Sequence, residues 1–184
     1  MTDFNIIPAN KEHLPGIYSL VELNVRRKSL LPRSRFSIQA SLPDWVVAVK
    51  DNSIIGCGSL LSYVDGMAEV RSLAIADVFH GQGVGTSIVS RLVENARERG
   101  METVFALTTA VSLFRKSGFS IVPIHCFPDK VIQFCASCPK RHACDETAVV
   151  FQLADTPFQC QELKNHSLSN LNLSVLPQQV GLSK

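Results

Sequence analysis

Apolar and polar positions change their period several times along this chain, and each change marks a predicted element. Residues 6–8 read as a short first strand. Asn10 offers an N-cap, after which Leu14, Ile17 and Val21 recur at helical spacing. The stretch from Leu30 to Pro43 loses that period and mixes prolines and serines with Arg33 and Arg35, so it predicts an irregular loop or a broken helix. Trp45–Lys50 and Ile54–Leu61 read as strands joined by a turn at Asp51-Asn52-Ser53, with Gly56 and Gly58 marking a bulge or a close backbone approach. A turn at Asp65-Gly66 leads into a strand from Met67 to Ile75, whose period-2 alternation places Glu69, Arg71, Leu73 and Ile75 on one face.

Beyond a glycine-rich turn, Ile88, Val89, Leu92, Val93 and Ala96 form one stripe of a long amphipathic helix. Arg91, Glu94, Arg97 and Glu98 take its other face, and Gly100 closes it. Thr103–Thr108 predicts a strand, Ser112–Ser117 a short helix ended by Gly118, and Phe119–Ile124 and Ala148–Leu153 two more strands. From residue 155 the chain is polar, without a clear period. This divides the chain into a domain at 1–154 and a polar C-terminal tail at 155–184. Tight turns between consecutive strands in the first half predict a mixed α/β sheet with flanking helices, not a doubly wound one.

Composition narrows the function classes. The chain has 184 residues, enough for one buried core, with 46% hydrophobic and 18% charged residues. A net charge of only +2 supplies no global field for nucleic acid or an acidic membrane. A basic run at Arg26, Arg27, Lys28, Arg33 and Arg35 is read as a solvated helix end and loop, Arg33 excepted. No window approaches the roughly 18 apolar residues of a membrane helix, and the N-terminus lacks the apolar stretch of a signal peptide. With Cys57 and Cys126 in apolar strand-like runs, where a buried thiol is the default, a cytoplasmic location is expected.

The strongest chemical signal is His80-Gly81-Gln82-Gly83-Val84-Gly85-Thr86, between the Met67–Ile75 strand and the long helix. Its glycines let backbone approach a ligand without a Cβ in the way. The free N–H groups and dipole of the first helical turn favour an anion such as a pyrophosphate. A P-loop would need Lys-Ser/Thr after the last glycine, whereas Gly85 precedes Thr86-Ser87. A dinucleotide fingerprint would need a parallel sheet and a later acidic residue at a strand end. A purely structural strand-to-helix turn remains the plain alternative.

Together with Leu73-Ala74-Ile75 before it and Leu113-Phe114-Arg115-Lys116-Ser117-Gly118-Phe119 after it, this turn resembles the coenzyme A-binding motif of GNAT acetyltransferases. The resemblance covers roughly residues 4–153 and departs at His80, where that superfamily usually has Arg or Gln. It implies the GNAT fold, a mixed sheet of about six to seven strands flanked by helices. It also implies acetyl-CoA as co-substrate, bound by Leu73, Ala74, Ile75, Gly81, Gln82, Gly83, Val84, Gly85 and Thr86. Within the superfamily, Leu30 to Ser34, Ala68 to Ala74, Val104 to Thr109 and Cys135 to Pro139 with Cys144 to Glu146 are similar to the short amino-acid N-acetyltransferases that make N-acetylglutamate. The reaction so implied acetylates the α-amine of L-glutamate, a step of arginine biosynthesis.

An amine attacks a thioester only as the free base, so the site must accept a proton and stabilise an oxyanion. Glu69 and Arg71, side by side in an apolar strand, are either a structural ion pair or a general base with a partner that orients it or the substrate. Arg33 is the candidate clamp for a substrate carboxylate, since a guanidinium fork binds one in two places; the plain reading is a surface arginine. The resemblance implies that main-chain N–H groups near Leu73–Ile75 polarise the carbonyl and that Thr108 supplies a hydroxyl. Where many relatives carry a tyrosine acid, Phe114 stands.

Cys135-x-x-Cys138 with Cys144, and with His142 and Cys126 nearby, has zinc-knuckle spacing, but a second CxxC is missing. Reduced structural thiols, a metal site and a redox pair all stay open. The leading partner is a small-molecule amine, with a homodimer possible and neither nucleic acid nor membrane expected. The competing readings are a GNAT enzyme for another small amine or a protein N-terminus, a coenzyme A-binding module without catalysis, and a zinc-braced interaction domain.

Overall fold

The computed structural model of the protein describes residues 3–155 and 158–160. Seven strands run in chain order as β1 (Asn5–Pro8), β2 (Trp45–Lys50), β3 (Ser53–Ser62), β4 (Met67–Ile75), β5 (Thr103–Thr108), β6 (Ser120–Ile121) and β7 (Thr147–Gln152). They form one sheet in the order β1-β2-β3-β4-β5-β7-β6. Every neighbour pair is antiparallel except β4 with β5. This is the mixed sheet expected, and tight turns build its first half: Asp51 and Asn52 both take positive φ, the conformation that matches hairpin twist.

The helices are α1 (Leu14–Arg26), α2 (Arg35–Ala40), α3 (Val84–Glu98), α4 (Val111–Lys116) and α5 (Pro128–Lys130), the last running on into a π-helical turn at Val131–Cys135. The apolar stripe of α3 buries Ile88, Val89, Leu92, Val93 and Ala96 against Val46, Leu60, Val70 and Val104. Ile17, Leu20 and Val21 of α1 pack on the other face with Ile38, Trp45, Val47 and Cys57. Gly56 and Gly58 let α3 come close, for a Cβ at either would meet Ile88 at 2.8 or 2.9 Å. A third cluster joins Tyr63, Phe105, Phe127, Ala148 and Val150, with Phe158 and Cys160 against it. The tail expected from residue 155 therefore begins with a docked piece.

Three expectations need correction. The strand expected over Phe119–Ile124 shrinks to Ser120–Ile121, because Pro123 offers no N–H and opens a 3-10 turn at Ile124–Cys126. The broken helix expected between Leu30 and Pro43 contains a true helix, α2, capped by the Ser34 hydroxyl, which accepts from the Ser37 N–H at 3.0 Å. The single face predicted for Glu69, Arg71, Leu73 and Ile75 is split. Ser72 takes φ 52°, and the β3–β4 register shifts between Cys57 and Ser59. This bulge turns Leu73 and Ile75 towards the α3 cluster and Ala74 towards the α1 cluster.

Candidate active site

β4 and β5 pair only from Met67↔Thr103 to Glu69↔Phe105. Beyond that point they part, and a cleft of about 690 Å³ opens between them. Its walls come from the bulged half of β4, the end of β5, α4, the N-terminus of α3 and the loop that carries Arg33. Of the residues proposed from sequence, Arg33, Glu69, Arg71, Leu73, Ile75, Gly81, Gly83, Val84, Gly85, Thr86 and Thr108 line it. Ala74 is turned into the α1 cluster, and the Gln82 amide turns back to donate to the Val78 carbonyl at 2.7 Å.

The anion end of the cleft is α3. The first intrahelical bond there runs from the Ser87 N–H to the Gly83 carbonyl, and no side chain caps the start. The N–H groups of Val84, Gly85 and Thr86 therefore face outward. Gly83 sits at φ 84° with nothing within 4 Å of a Cβ placed on it. Only glycine adopts that conformation at no steric cost, and the open space beside it suits a diphosphate held by backbone. Gly85 serves packing instead, since its Cβ would meet Leu113 Cδ1 at 2.5 Å. His80 braces the turn, its Nε2 donating to the Ile75 carbonyl at 3.1 Å.

At the other end lies a charged floor. Glu69 is only 3% exposed, and both its oxygens are engaged. Lys130 Nζ lies 2.7 Å from Oε1, while the Tyr63 hydroxyl donates to Oε2 at 2.9 Å, with Arg71 Nε farther off at 3.8 Å. Burial, then the neighbouring Glu69 carboxylate, holds the Tyr63 phenol well above its ordinary range, so it stays a neutral donor. Arg33 reaches the same space from the loop before α2. Its Nε is buried without a hydrogen-bond partner among the described residues, and burial followed by the like charge of Arg71 lowers its pKa. Glu146, half-buried, also lines the cleft, and burial pushes its carboxyl up. The Thr108 hydroxyl accepts from the Ala110 N–H at 2.9 Å, which leaves its own proton free to donate. Phe114 is buried in the wall, edge-on to Phe119.

Residues 17–119 match the model of the acetyltransferase (GNAT) family. The chain belongs to this family. It is 36% identical over 121 residues to an uncharacterised N-acetyltransferase of Chlorobaculum tepidum, covering 66% of this chain and 78% of that one. It is 30% identical over 115 residues to an amino-acid acetyltransferase of Mycobacterium tuberculosis, 61% of this chain and 66% of that protein. A Pasteurella multocida amino-acid acetyltransferase is 27% identical over 124 residues, where the match spans 66% of this chain and only 28% of the longer protein. The fold resembles that of N-acetylglutamate synthase from Neisseria gonorrhoeae, complexed with coenzyme A and N-acetylglutamate (TM-score 0.71, 20% identity, 84% of this chain and 36% of that one). A Mycobacterium tuberculosis structure with CoA matches equally well (TM-score 0.71, 23% identity, 82% of this chain and 99% of that one). The GNAT chain is thus an acyltransferase whose donor is acetyl-CoA.

Sequence reasoning missed Tyr63, Lys130 and Glu146 in this GNAT site. Tyr63 had a signal, because it lies diagonally across the hairpin from Glu69 once Leu61 pairs with that residue. Among the cysteines, the reading of Cys126 needs correction. Cys126, read as a buried thiol near a metal cluster, is bonded to Cys160. Cys135, Cys138 and Cys144 are free, and the Cys138 N–H donates to the Cys135 carbonyl at 3.1 Å in a tight turn. Among the described residues, the ligand atoms that gather within 4.8 Å of one another are those of His125, Cys126 and Cys160. Cys57 is buried, which pushes its thiol up to about 12. No helix among the described residues is long and apolar enough to cross a membrane.

Proposed function

We propose that this enzyme acetylates the α-amine of an acidic amino acid, with L-glutamate the acceptor. The observation that carries this reading is Arg33 Nε, buried without a partner among the described residues beside Arg71 in the acceptor half of the cleft. Glu69 already has Lys130 and Tyr63 on its oxygens. Among the described residues Arg33 pairs with no carboxylate and Arg71 has only the 3.8 Å contact with Glu69, so a dicarboxylate would supply a closer partner for each. Cationic acceptors such as polyamines would meet repulsion there. The printed names of the Mycobacterium and Pasteurella relatives, and the N-acetylglutamate in the Neisseria structure, agree with this substrate class.

In this reading the N–H groups of Gly83 to Thr86 hold the donor's diphosphate, and main-chain N–H groups along Leu73–Ile75 polarise the thioester carbonyl. Arg71, beside the base Glu69, orients the α-carboxylate that every amino acid carries, and Arg33 takes the side-chain carboxylate. Glu69 retains lone-pair positions beyond those used by Lys130 and Tyr63, and takes the proton of the ammonium. The freed nitrogen attacks the carbonyl carbon and the C–S bond breaks; the Thr108 hydroxyl passes a proton to the leaving thiolate and regains one from the nitrogen of the forming amide, a step that the thiolate's low basicity makes undemanding. The product is the N-acetyl amide, and in this reading the enzyme serves arginine biosynthesis and works in the cytoplasm.

The test is thiol release from acetyl-CoA with a panel of amines. Glutamate turns over, and Arg33→Ala raises its KM by about 10²-fold, the value of a charge-assisted pair. Arg33→Lys recovers only part, because an ammonium cannot form the fork. Release with no amine, or equal release with polyamines, overturns the assignment.

A further inference from the structure

The segment after the Cys126 turn brings Lys130 to the cleft wall and Phe134 against Lys130 and Arg71, and neither takes part in the steps above. Lys130, at the end of α5, is 9% exposed although it is a lysine, and its Nζ touches Glu69 Oε1 at 2.7 Å. A buried carboxylate without a cation is costly by several kcal/mol. Lys130 thus offsets the charge of Glu69 from outside the sheet. One turn later Phe134 presents its ring to two cations at once, with Lys130 Nζ 4.7 Å and Arg71 Cζ 4.6 Å from the centroid. Such contacts attract a cation to the aromatic face, more strongly where water is excluded.

The segment is itself anchored. Phe127 stacks on Phe105 at 4.1 Å, and Phe105 pairs with Glu69 across the last paired rung of β4 and β5. The Val131 N–H donates to the Phe127 carbonyl at 3.0 Å in α5, and the Ala136 N–H donates to the Val131 carbonyl at 3.0 Å to close the π-helical turn. One short piece of chain therefore fixes an anchor, an ammonium and a ring against the same strand.

We propose that Lys130 and Phe134 are positioning residues of the acceptor site: Lys130 fixes the Glu69 carboxylate, and Phe134 holds Arg71 towards the acceptor. The inference rests on the acyl-transfer reading above. Both residues act through Glu69 and Arg71, so their loss changes turnover for acidic and neutral amino acids alike. Direct contact with a substrate side chain would instead penalise only the dicarboxylates. Lysine suits the task because a compact ammonium can sit on one carboxylate oxygen, whereas a planar fork would compete with Tyr63 for the second.

The experiment compares the wild type with Lys130→Met, Lys130→Arg and Phe134→Leu. Acetyl-CoA affinity is measured by calorimetry, folding by thermal melting, and kcat and KM with glutamate and a neutral amino acid. Lys130→Met is expected to lose about 10²-fold in kcat, as misplaced catalytic groups do, with acetyl-CoA affinity unchanged. Lys130→Arg recovers at least a tenth of the wild-type rate. Phe134→Leu shifts KM for both amino acids by a common factor. Kinetics within twofold of wild type in Lys130→Met, or a loss confined to glutamate, overturns the proposal. Should the wild type turn over no amine, the functional reading falls by itself. The proposal is then decided by a crystal structure of Lys130→Met: Glu69 and Arg71 displaced sustain it, and both unmoved end it.

Discussion

Glu69 and Leu73 lie on one strand, yet Glu69 faces the acceptor end of the cleft while Leu73 packs towards α3. An uninterrupted strand would put them on the same side. Ser72 reverses the order by taking φ 52°, where a short polar side chain is tolerated and a β-branched one is not. Ser72→Gly should keep the bulge and raise the melting temperature by a few degrees, since about 1 kcal/mol of backbone strain is removed. Ser72→Val should melt lower and lose most acetyl transfer, because restored alternation swings Leu73 into the place of charged groups. Thermal melts with thiol-release assays on both variants check this.

The start of α3 allows a second measurement. Gly83 lies at φ 84°, with open space where a Cβ would be. Gly83→Ala therefore meets no neighbour and tests backbone conformation alone. We expect about 1–2 kcal/mol of destabilisation. Calorimetry should also show weaker coenzyme A binding, as relaxation of the turn re-aims the N–H groups of Val84 to Thr86. Unchanged affinity would place the diphosphate elsewhere.

Glu146 gives a pH dependence. Burial raises its carboxyl above the unfolded value, so the folded state holds the proton to higher pH than the unfolded chain does. The sign follows from linkage: the folded state loses stability relative to the unfolded as pH rises from the unfolded pKa through the folded one, and the cost is complete above both. Glu146→Gln should therefore melt higher than the wild type at neutral pH. Below about pH 4, where the carboxyl is protonated in both states, the two proteins should coincide. A constant offset at all pH values would assign the effect to packing instead.

What the sequence revealed follows from how local each signal is. The α3 stripe and the His80–Thr86 turn are contiguous, so period and glycine spacing suffice to place them. Glu69 could be nominated because it interrupts an apolar run, Arg33 because a guanidinium fork suits a carboxylate, and Thr108 only through the family resemblance. Lys130 and Phe134 could not, for their segment carries ordinary residues and gains meaning only when Phe127 docks on Phe105. The Ser72 bulge was hidden because serine is unremarkable in a strand until its partner register is known. The short β6 had a visible cause in Pro123, which the reading of Phe119–Ile124 passed over.

Cys126 and Cys160 form a bond across a sequence separation of 34, joining the turn before α5 to the chain beyond β7. Phe158 stacks with Phe127 at 5.8 Å, so the tie and the aromatic contact secure the same wall. In a reducing cytoplasm this bond would be open to reduction. Closing a loop of this length is worth about 2–4 kcal/mol to a folded domain. Treatment with a dithiol reductant should therefore lower the melting temperature by several degrees. Cys160→Ser should melt at that reduced value and no longer respond to reductant. Because α5 follows Cys126 directly, the reduced enzyme should also show a higher KM for its amino acid with coenzyme A affinity unchanged. Thiol counting under denaturing conditions fixes the redox state in each sample. An oxidised wild type that melts with the reduced one would mean that Phe158 and its neighbours hold this wall without the covalent tie.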